Sequence, residues 1–133
     1  MTAAFSGTYA CALDTPSVAR HEVDSWLPES VAESARGALR LLVSELVTNS
    51  VRHGADSDQP VALDVHIDDG TIHVEVRDRG AGFEPVTPEP RGAAGGFGGY
   101  GLFLVERMAS RWGVDTLDGT RVWFELDVAP AGR

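Results

Sequence analysis

The chain has 133 residues, of which 43% are hydrophobic and 23% are charged, and its formal net charge is −9. This length suits one domain, no apolar run approaches the roughly 20 residues that cross a bilayer, and the start lacks the pattern of a secretory signal. The acidic balance opposes direct nucleic-acid binding, which depends on clustered basic side chains. We therefore expect a cytoplasmic, single-domain protein that binds neither nucleic acid nor membranes, with an ordered core over about residues 6–128.

A strand with a half-buried face is predicted near the N-terminus. The stretch "GTYACALD" (7–14) alternates, with Tyr9, Cys11 and Leu13 on one side. Cys11 is the only cysteine, which excludes an intramolecular disulfide and a zinc site built on several thiols. We expect Cys11 to be a buried, unreactive thiol.

Two helices follow this strand. Asp14 or Thr15 can cap the first helix, and Pro28 ends it. The second helix covers "ESVAESARGALRLLVSELVTNSVRHGA", with a natural stop at Gly54. The apolar positions predicted to be buried are Val18, Val23, Trp26 and Leu27 in the first helix, and Val31, Ala35, Ala38, Leu42, Leu46 and Val47 in the second.

The second half of the chain predicts a hairpin, a loop, a helix and two more strands. Strand patterns at Val61–Asp68 and Thr71–Asp78 flank a "DDG" turn. Residues 80–98 show no periodicity, and a loop of that length in a compact domain is more often functional than accidental. "GLFLVERMASRW" (101–112) restores helical spacing, and "GVDTL" and "GTRVWFELDV" indicate strands joined at "DG".

This order of elements favours an α+β fold. Strands and helices neither alternate strictly nor fall into separate blocks, so a doubly wound parallel fold fits poorly. We predict a two-layer α/β sandwich, with a mixed sheet and the helices packed on one of its faces.

The first of three motifs lies on the second helix. Glu45 and Asn49 are four residues apart, so their side chains share one face, and His53 extends the same stripe. A carboxylate beside an amide oxygen suits one corner of a Mg²⁺ site that phosphate and water oxygens complete, and the glutamate can then act as a base. A solvated polar face with an i,i+4 hydrogen bond explains the same spacing and is more common.

The second motif, "DRGAGF", follows the hairpin. Gly80 and Gly82 allow the backbone to turn sharply and approach a ligand, and the carboxylate of Asp78 can accept a hydrogen bond from an exocyclic amine. A plain turn at the end of a strand explains the pattern equally well.

The third motif places Gly99 and Gly101 directly before a helix. Glycines there expose the first N–H groups of the helix, and the helix dipole favours an anion such as phosphate. For an isolated G-x-G, a flexible connection to the helix is the better explanation. All 11 basic residues are arginines, so any cationic contact to phosphate must come from a guanidinium.

Together, "ELVTN", "DRGAGF" and "GYGL" resemble the N, G1 and G2 boxes of the Bergerat-fold ATPases, the superfamily of gyrase, Hsp90, histidine kinases and MutL. "GTRVWFEL" is similar to the final box, so the resemblance runs from about Leu39 to Leu126. Within the superfamily, the short chain, "ELVTNSVRHG" and "GYGLFLVERMASRWGV" look most like the anti-sigma factor serine kinases and their stand-alone relatives.

The resemblance implies that the chain binds ATP and Mg²⁺. It implies Glu45 as general base, Asn49 as the Mg²⁺ ligand and Asp78 as acceptor of the adenine amino group. The other positions that it carries over are Thr120 beside Asp78, Gly80 and Gly82 in the adenine pocket, an ATP lid at about 83–98, and Gly99, Gly101 and Leu102 at the start of the helix that faces the phosphates.

The resemblance also implies a function. Anti-sigma kinases bind a sigma factor and phosphorylate an anti-sigma antagonist on serine or threonine, and they often form homodimers through the N-terminal strand and helix. One position departs from the pattern: Tyr100 replaces an arginine frequent between the glycines of the third box, and Arg91 or Arg52 would have to supply that cation. A non-catalytic, ATP-dependent protein-binding switch is therefore the alternative, and a simple ATPase ranks last.

Overall fold

The computed structural model describes residues 2–53, 59–78, 101–115 and 119–128, with only the backbone at 53 and 101–103. Within these ranges the chain forms, in order, β1 (Thr2–Tyr9), α1 (Thr15–Trp26), α2 (Glu33–His53), β2 (Val61–Asp68), β3 (Thr71–Asp78), α3 (Gly101–Met108), β4 (Arg111–Asp115) and β5 (Thr120–Asp127). None of the helices found there has both the length and the apolar character needed to cross a bilayer.

The described strands form one sheet in the order β1-β2-β3-β5-β4, and every neighbouring pair is antiparallel. The predicted α+β class is confirmed, but the prediction of a mixed sheet is wrong. Two helices in series return the chain to the end of the sheet where β1 finished, so β2 runs against β1. β3 and β4 do run in the same direction, but β5 lies between them.

The hydrophobic core lies between the sheet and the helices. Alternate side chains of β2, β3 and β5 are buried, and α2 contacts all three strands as well as α1 and α3. The largest fully buried side chains are Leu39, Leu42, Leu46, Leu63, Ile72 and Phe124, together with Val43, Val47, Val61, Val65, Val74 and Val76. The helices therefore cover one face of the sheet, as the two-layer prediction requires.

β1 lies closer to the N-terminus than the alternation predicts. It spans Thr2–Tyr9 instead of 7–14. The chain then turns, and Thr15 Oγ1 donates to the Ala10 carbonyl at 2.5 Å. Leu13, predicted to lie on the half-buried side of the strand, is 99% exposed. Most side chains of β1 are small, so its own alternation of apolar and polar residues is weak and the stronger pattern after it misplaces the strand.

α1 has the predicted start, but its packing differs from the prediction. Asp14 occupies the N-cap position without a side-chain capping bond. The buried stripe runs through Ala19 and Val23, whereas Val18, predicted to be buried, is 40% exposed. α2 begins only at Glu33, because the chain between the helices forms turns.

Arg36 of α2 fastens the connection between the two helices. Its guanidinium donates to the carbonyl oxygens of Val31 at 3.2 Å, Asp24 at 3.3 Å and Leu27 at 3.1 Å, and also to that of Pro28. The last carbonyl groups of a helix have no partners within the helix. Arg36 therefore satisfies acceptors that the end of α1 leaves open.

The β2–β3 hairpin has the predicted bounds. Asp68 pairs with Thr71, which leaves Asp69 and Gly70 as a two-residue loop. Their φ angles are 45° and 88°. Positive φ at both central residues is the requirement of a type I′ turn, whose twist matches that of the flanking strands.

The last predicted helix is too long at its C-terminal end. α3 stops at Met108 and β4 starts at Arg111, whereas the helical spacing continues to Trp112. Trp112 instead pairs with Phe124 in the β4–β5 ladder. Pairing with the next strand, β5, thus overrides a local helical pattern.

Candidate functional site

Asp78 and Thr120 meet at one end of the sheet, where β3 ends and β5 begins. They are directly opposite each other in the β3–β5 register, and only 5% and 3% of their surfaces are exposed. Within the described ranges, Thr120 Oγ1 has no hydrogen-bond partner. A buried hydroxyl in that state costs about 1–3 kcal/mol. Such an oxygen beside a carboxylate indicates a place where a polar ligand binds.

Cys11 lies close enough to this end of the sheet to interact electrostatically with Asp78. Burial raises the pKa of the Cys11 thiol, and the Asp78 carboxylate raises it further. The thiol donates a 3.6 Å bond to the Gln59 carbonyl. Cys11 is half-buried, not fully buried as predicted, and its raised pKa keeps it in the unreactive thiol form.

α2 carries Glu45 and Asn49 one helical turn apart. Asn49 is 7% exposed, and Glu45 is half-buried. α2 contacts both β3 and β5, the strands that carry Asp78 and Thr120. An amide is seldom buried without a polar role, so Asn49 is the stronger candidate of the two for a binding residue.

Gly101 and Leu102 are the first two residues of α3, which contacts α2. Val105 anchors this short helix, since none of its surface is exposed. The start of α3 therefore has backbone N–H groups without partners inside the helix, and it carries the positive end of the helix dipole. The predicted site positions that lie outside the described residues are Gly80, Gly82, Gly99, the lid at 83–98, Arg91 and Tyr100.

The described residues fit Mg-ATP. The Asp78 carboxylate accepts hydrogen bonds, and the unpartnered Thr120 hydroxyl can donate one, which matches an adenine edge with its amino group and ring nitrogens. The Asn49 amide oxygen is a hard ligand of the kind that Mg²⁺ takes. In the part of the chain that the structure describes, no group of three or more His, Cys, Asp or Glu side chains could hold a metal ion.

A concave feature lies between the start of α1 and the end of α2, and none of the three sequence motifs indicated it. Its volume is about 420 Å³. We call it the α1–α2 groove, and it is lined by Leu13, Pro16, Ser17, Arg20, Ser44, Thr48, Val51 and Arg52. The four-residue spacing of Ser44, Thr48 and Arg52 along α2 is the signal that could have revealed it.

Comparison with protein families gives a match over most of the chain. The model described as "Histidine kinase-like ATPase domain" matches residues 11–126. This range includes α1, the later described elements up to Leu126 of β5, and all candidate site residues. It leaves out β1, which pairs at the edge of the sheet.

Two curated relatives carry the name "Anti-sigma F factor", one from Geobacillus stearothermophilus and one from Geobacillus kaustophilus strain HTA426. Each is 40% identical to this chain over 50 residues, which are 36% of this chain and 34% of the relative. The matched stretch therefore spans about a third of the length of these relatives.

A solved structure shares the fold. It is the crystal structure of the RsbU and RsbW domains of Rv1364c from Mycobacterium tuberculosis, and it superposes with a TM-score of 0.70 over 97% of this chain and 34% of that one. The sequence identity is 22%, so this likeness concerns the fold alone.

Proposed function

Because this chain belongs to the family of histidine kinase-like ATPase domains, we propose that it is an ATP-binding, anti-sigma-type regulator with serine/threonine protein kinase activity. The observation that carries ATP binding is the buried pair of Asp78 and Thr120, with its unpartnered hydroxyl, at the end of the central strands. The shared name of the two curated relatives supports the anti-sigma role.

Each candidate residue has a role in nucleotide binding. Asp78 accepts a hydrogen bond from the adenine amino group, and Thr120 donates to a ring nitrogen. Asn49 would hold Mg²⁺ through its amide oxygen, which is the kind of ligand that this ion takes. Gly101 and Leu102 direct backbone N–H groups toward the phosphates. Gly80, Gly82 and Gly99 complete this proposed set from the neighbouring segments.

Glu45 is the proposed general base. It takes the proton from a serine or threonine hydroxyl of the antagonist as that oxygen attacks the γ-phosphate. The phosphoryl group would pass from ATP to that oxygen and leave ADP, and Mg²⁺, when bound, would neutralise charge on the phosphates. The half-buried position of Glu45 on α2 leaves room for a hydroxyl to approach.

The proposed partners are a sigma factor and an anti-sigma antagonist. The formal net charge of −9 favours a partner with a basic surface, because complementary charge speeds association and rejects acidic competitors.

The alternative is a switch without phosphotransfer, in which ATP changes the surface offered to a partner. Tyr100 favours it, because the cation frequent at that place in the anti-sigma kinases is absent. A simple ATPase, with Glu45 activating water, ranks third.

One experiment separates the three. The protein is incubated with labelled Mg-ATP, alone and with candidate antagonists, and both label transfer and phosphate release are measured. Transfer supports the kinase, release alone supports the ATPase, and binding with neither supports the switch. Glu45→Ala should abolish chemistry while binding persists, whereas Asp78→Asn should weaken binding. If neither variant nor the parent protein binds ATP, the proposal fails.

A further inference from the structure

We propose that the α1–α2 groove is a binding site for a phosphate monoester, separate from the nucleotide site, so that Arg52 serves this groove and not the phosphates of ATP. Two guanidinium groups, Arg20 and Arg52, line it from opposite helices. Guanidinium groups bind phosphate through paired, charge-assisted hydrogen bonds. Two of them line the same concave feature on a chain whose formal net charge is −9.

Hydroxyl groups complete the polar lining of the groove. Arg20 Nη2 donates a long, 3.4 Å hydrogen bond to Ser17 Oγ, which also lines the groove. Thr48 Oγ1 donates to the Ser44 carbonyl at 2.6 Å. Ser44 Oγ is buried and has no hydrogen-bond partner among the described residues. Ser44, which lines the groove, therefore has a buried hydroxyl that no described residue satisfies.

The apolar part of the lining distinguishes a monoester from free phosphate. Leu13, Pro16 and Val51 share the groove with the arginines, and Leu13 is 99% exposed. An exposed leucine beside two cations offers apolar contact to the carbon atoms that carry an esterified phosphate. A monoester should therefore bind more tightly than the inorganic ion.

The test is a titration of the whole protein with inorganic phosphate and with O-phosphoserine, followed by calorimetry. Arg20→Gln and Arg52→Gln should each weaken O-phosphoserine binding roughly tenfold, because each removes a charge-assisted contact. Arg40→Gln is the matched control, since it removes the same charge from α2 at a residue that pairs with Asp24 and Glu33 outside the groove. It should leave the affinity unchanged.

Asp78→Asn is the second control, and it also separates this proposal from the proposed ATP site. It should weaken ATP binding and leave O-phosphoserine binding intact. If it weakens both, the phosphate occupies the nucleotide site and the groove proposal is overturned. Equal losses in Arg20→Gln and Arg40→Gln would mean an adventitious ion only. Inorganic phosphate that binds as tightly as the monoester would overturn the choice of ligand.

Discussion

At the residue scale, Arg36 and Arg40 show how differently two arginines of α2 contribute. The Arg36 side chain is 16% exposed and serves carbonyl oxygens at the end of α1, whereas Arg40 is 40% exposed and pairs with Asp24 and Glu33. Loss of a largely buried donor leaves its acceptors without hydrogen bonds, whereas exposed ion pairs contribute little to the free energy of unfolding.

We expect Arg36→Gln to lower the free energy of unfolding by about 2–3 kcal/mol, because charged donors to several carbonyls are lost. Arg40→Gln should cost at most about 1 kcal/mol. Urea unfolding followed by circular dichroism measures both. Equal losses of stability in the two variants would contradict the view that Arg36 stabilises the fold by satisfying carbonyl groups at the end of α1.

A substitution at Thr120 should weaken ligand binding without lowering the stability of the fold. Thr120→Val removes a buried hydroxyl that lacks a partner in the described structure and keeps a β-branched side chain suited to a strand. The ligand-free protein should be as stable as the parent or more stable by about 1 kcal/mol, while ATP binds roughly tenfold more weakly. Thermal unfolding and a nucleotide titration test this. A variant that is less stable without ligand would show that the hydroxyl serves the fold.

At the scale of elements, α2 contains a glycine that the fold does not require. A Cβ added to Gly37 would meet no atom within 4 Å outside its own helix. Gly37→Ala should therefore raise the free energy of unfolding by about 0.5–1 kcal/mol, because the unfolded chain loses freedom. Gly70→Ala is the contrasting control, since its φ of 88° is unfavourable for alanine and should lower stability. Calorimetric melting temperatures for the two variants should move in opposite directions.

β4 and β5 are joined on the outer face of the sheet by ion pairs. Arg111 lies 2.6 Å from Glu125 and 2.5 Å from Asp127. Its hydrogen bonds lower the pKa of both carboxyl groups, with smaller contributions from His73 to Glu125 and from Thr71 to Asp127. A carboxyl group whose pKa is lower in the folded state stabilises the fold above its unfolded pKa and loses that effect as pH falls through the folded pKa.

Stability should therefore decline as pH drops below about 4.5, near the unfolded pKa of these groups. In Arg111→Gln the free energy of unfolding should fall less steeply with decreasing pH, because the carboxyl pKa values return toward normal. Urea midpoints measured from pH 6 downward test the prediction, with Arg40→Gln as control. If the urea midpoint of Arg111→Gln falls with pH as steeply as that of the parent protein, the prediction is contradicted.

Sequence patterns located some elements well and others poorly, for physical reasons. The β2–β3 hairpin was predictable because its turn and both strands are contiguous, so all the information is local. The boundary between α3 and β4 could not be predicted in the same way, because pairing with Phe124 places Trp112 in a strand although its spacing is helical. In the candidate site, the motifs indicated Asp78 and Thr120, but their direct pairing depends on the β3–β5 ladder. The α1–α2 groove needs two helices packed together, which no local pattern encodes.

At the scale of the whole molecule, β1 forms one edge of the sheet that the described strands build. Its eight residues, "TAAFSGTY", include no charged residue and no proline. Natural edge strands usually carry such residues to prevent pairing with another chain. We therefore expect this edge to pair with β1 of a second copy in a homodimer.

Ala4→Lys tests this expectation, because it places like charges at the edge of both copies. The dimer should dissociate roughly tenfold more readily in sedimentation experiments. Ala32→Lys adds the same charge at an exposed position before α2 and should leave the dimer intact. A parent protein that stays monomeric at high concentration would contradict the expectation.

The pairing of β3 with β5 brings the candidate binding residues together late in folding. Asp78 and Thr120 are far apart along the chain, so their pairing is a non-local step that follows the closing of a long loop. A partly folded chain that has only the β2–β3 hairpin would lack the proposed adenine site, because Thr120 lies on β5. A ligand that needs both residues binds only the completed fold and stabilises it by mass action. The proposed site would thus make resistance to unfolding depend on the ATP concentration.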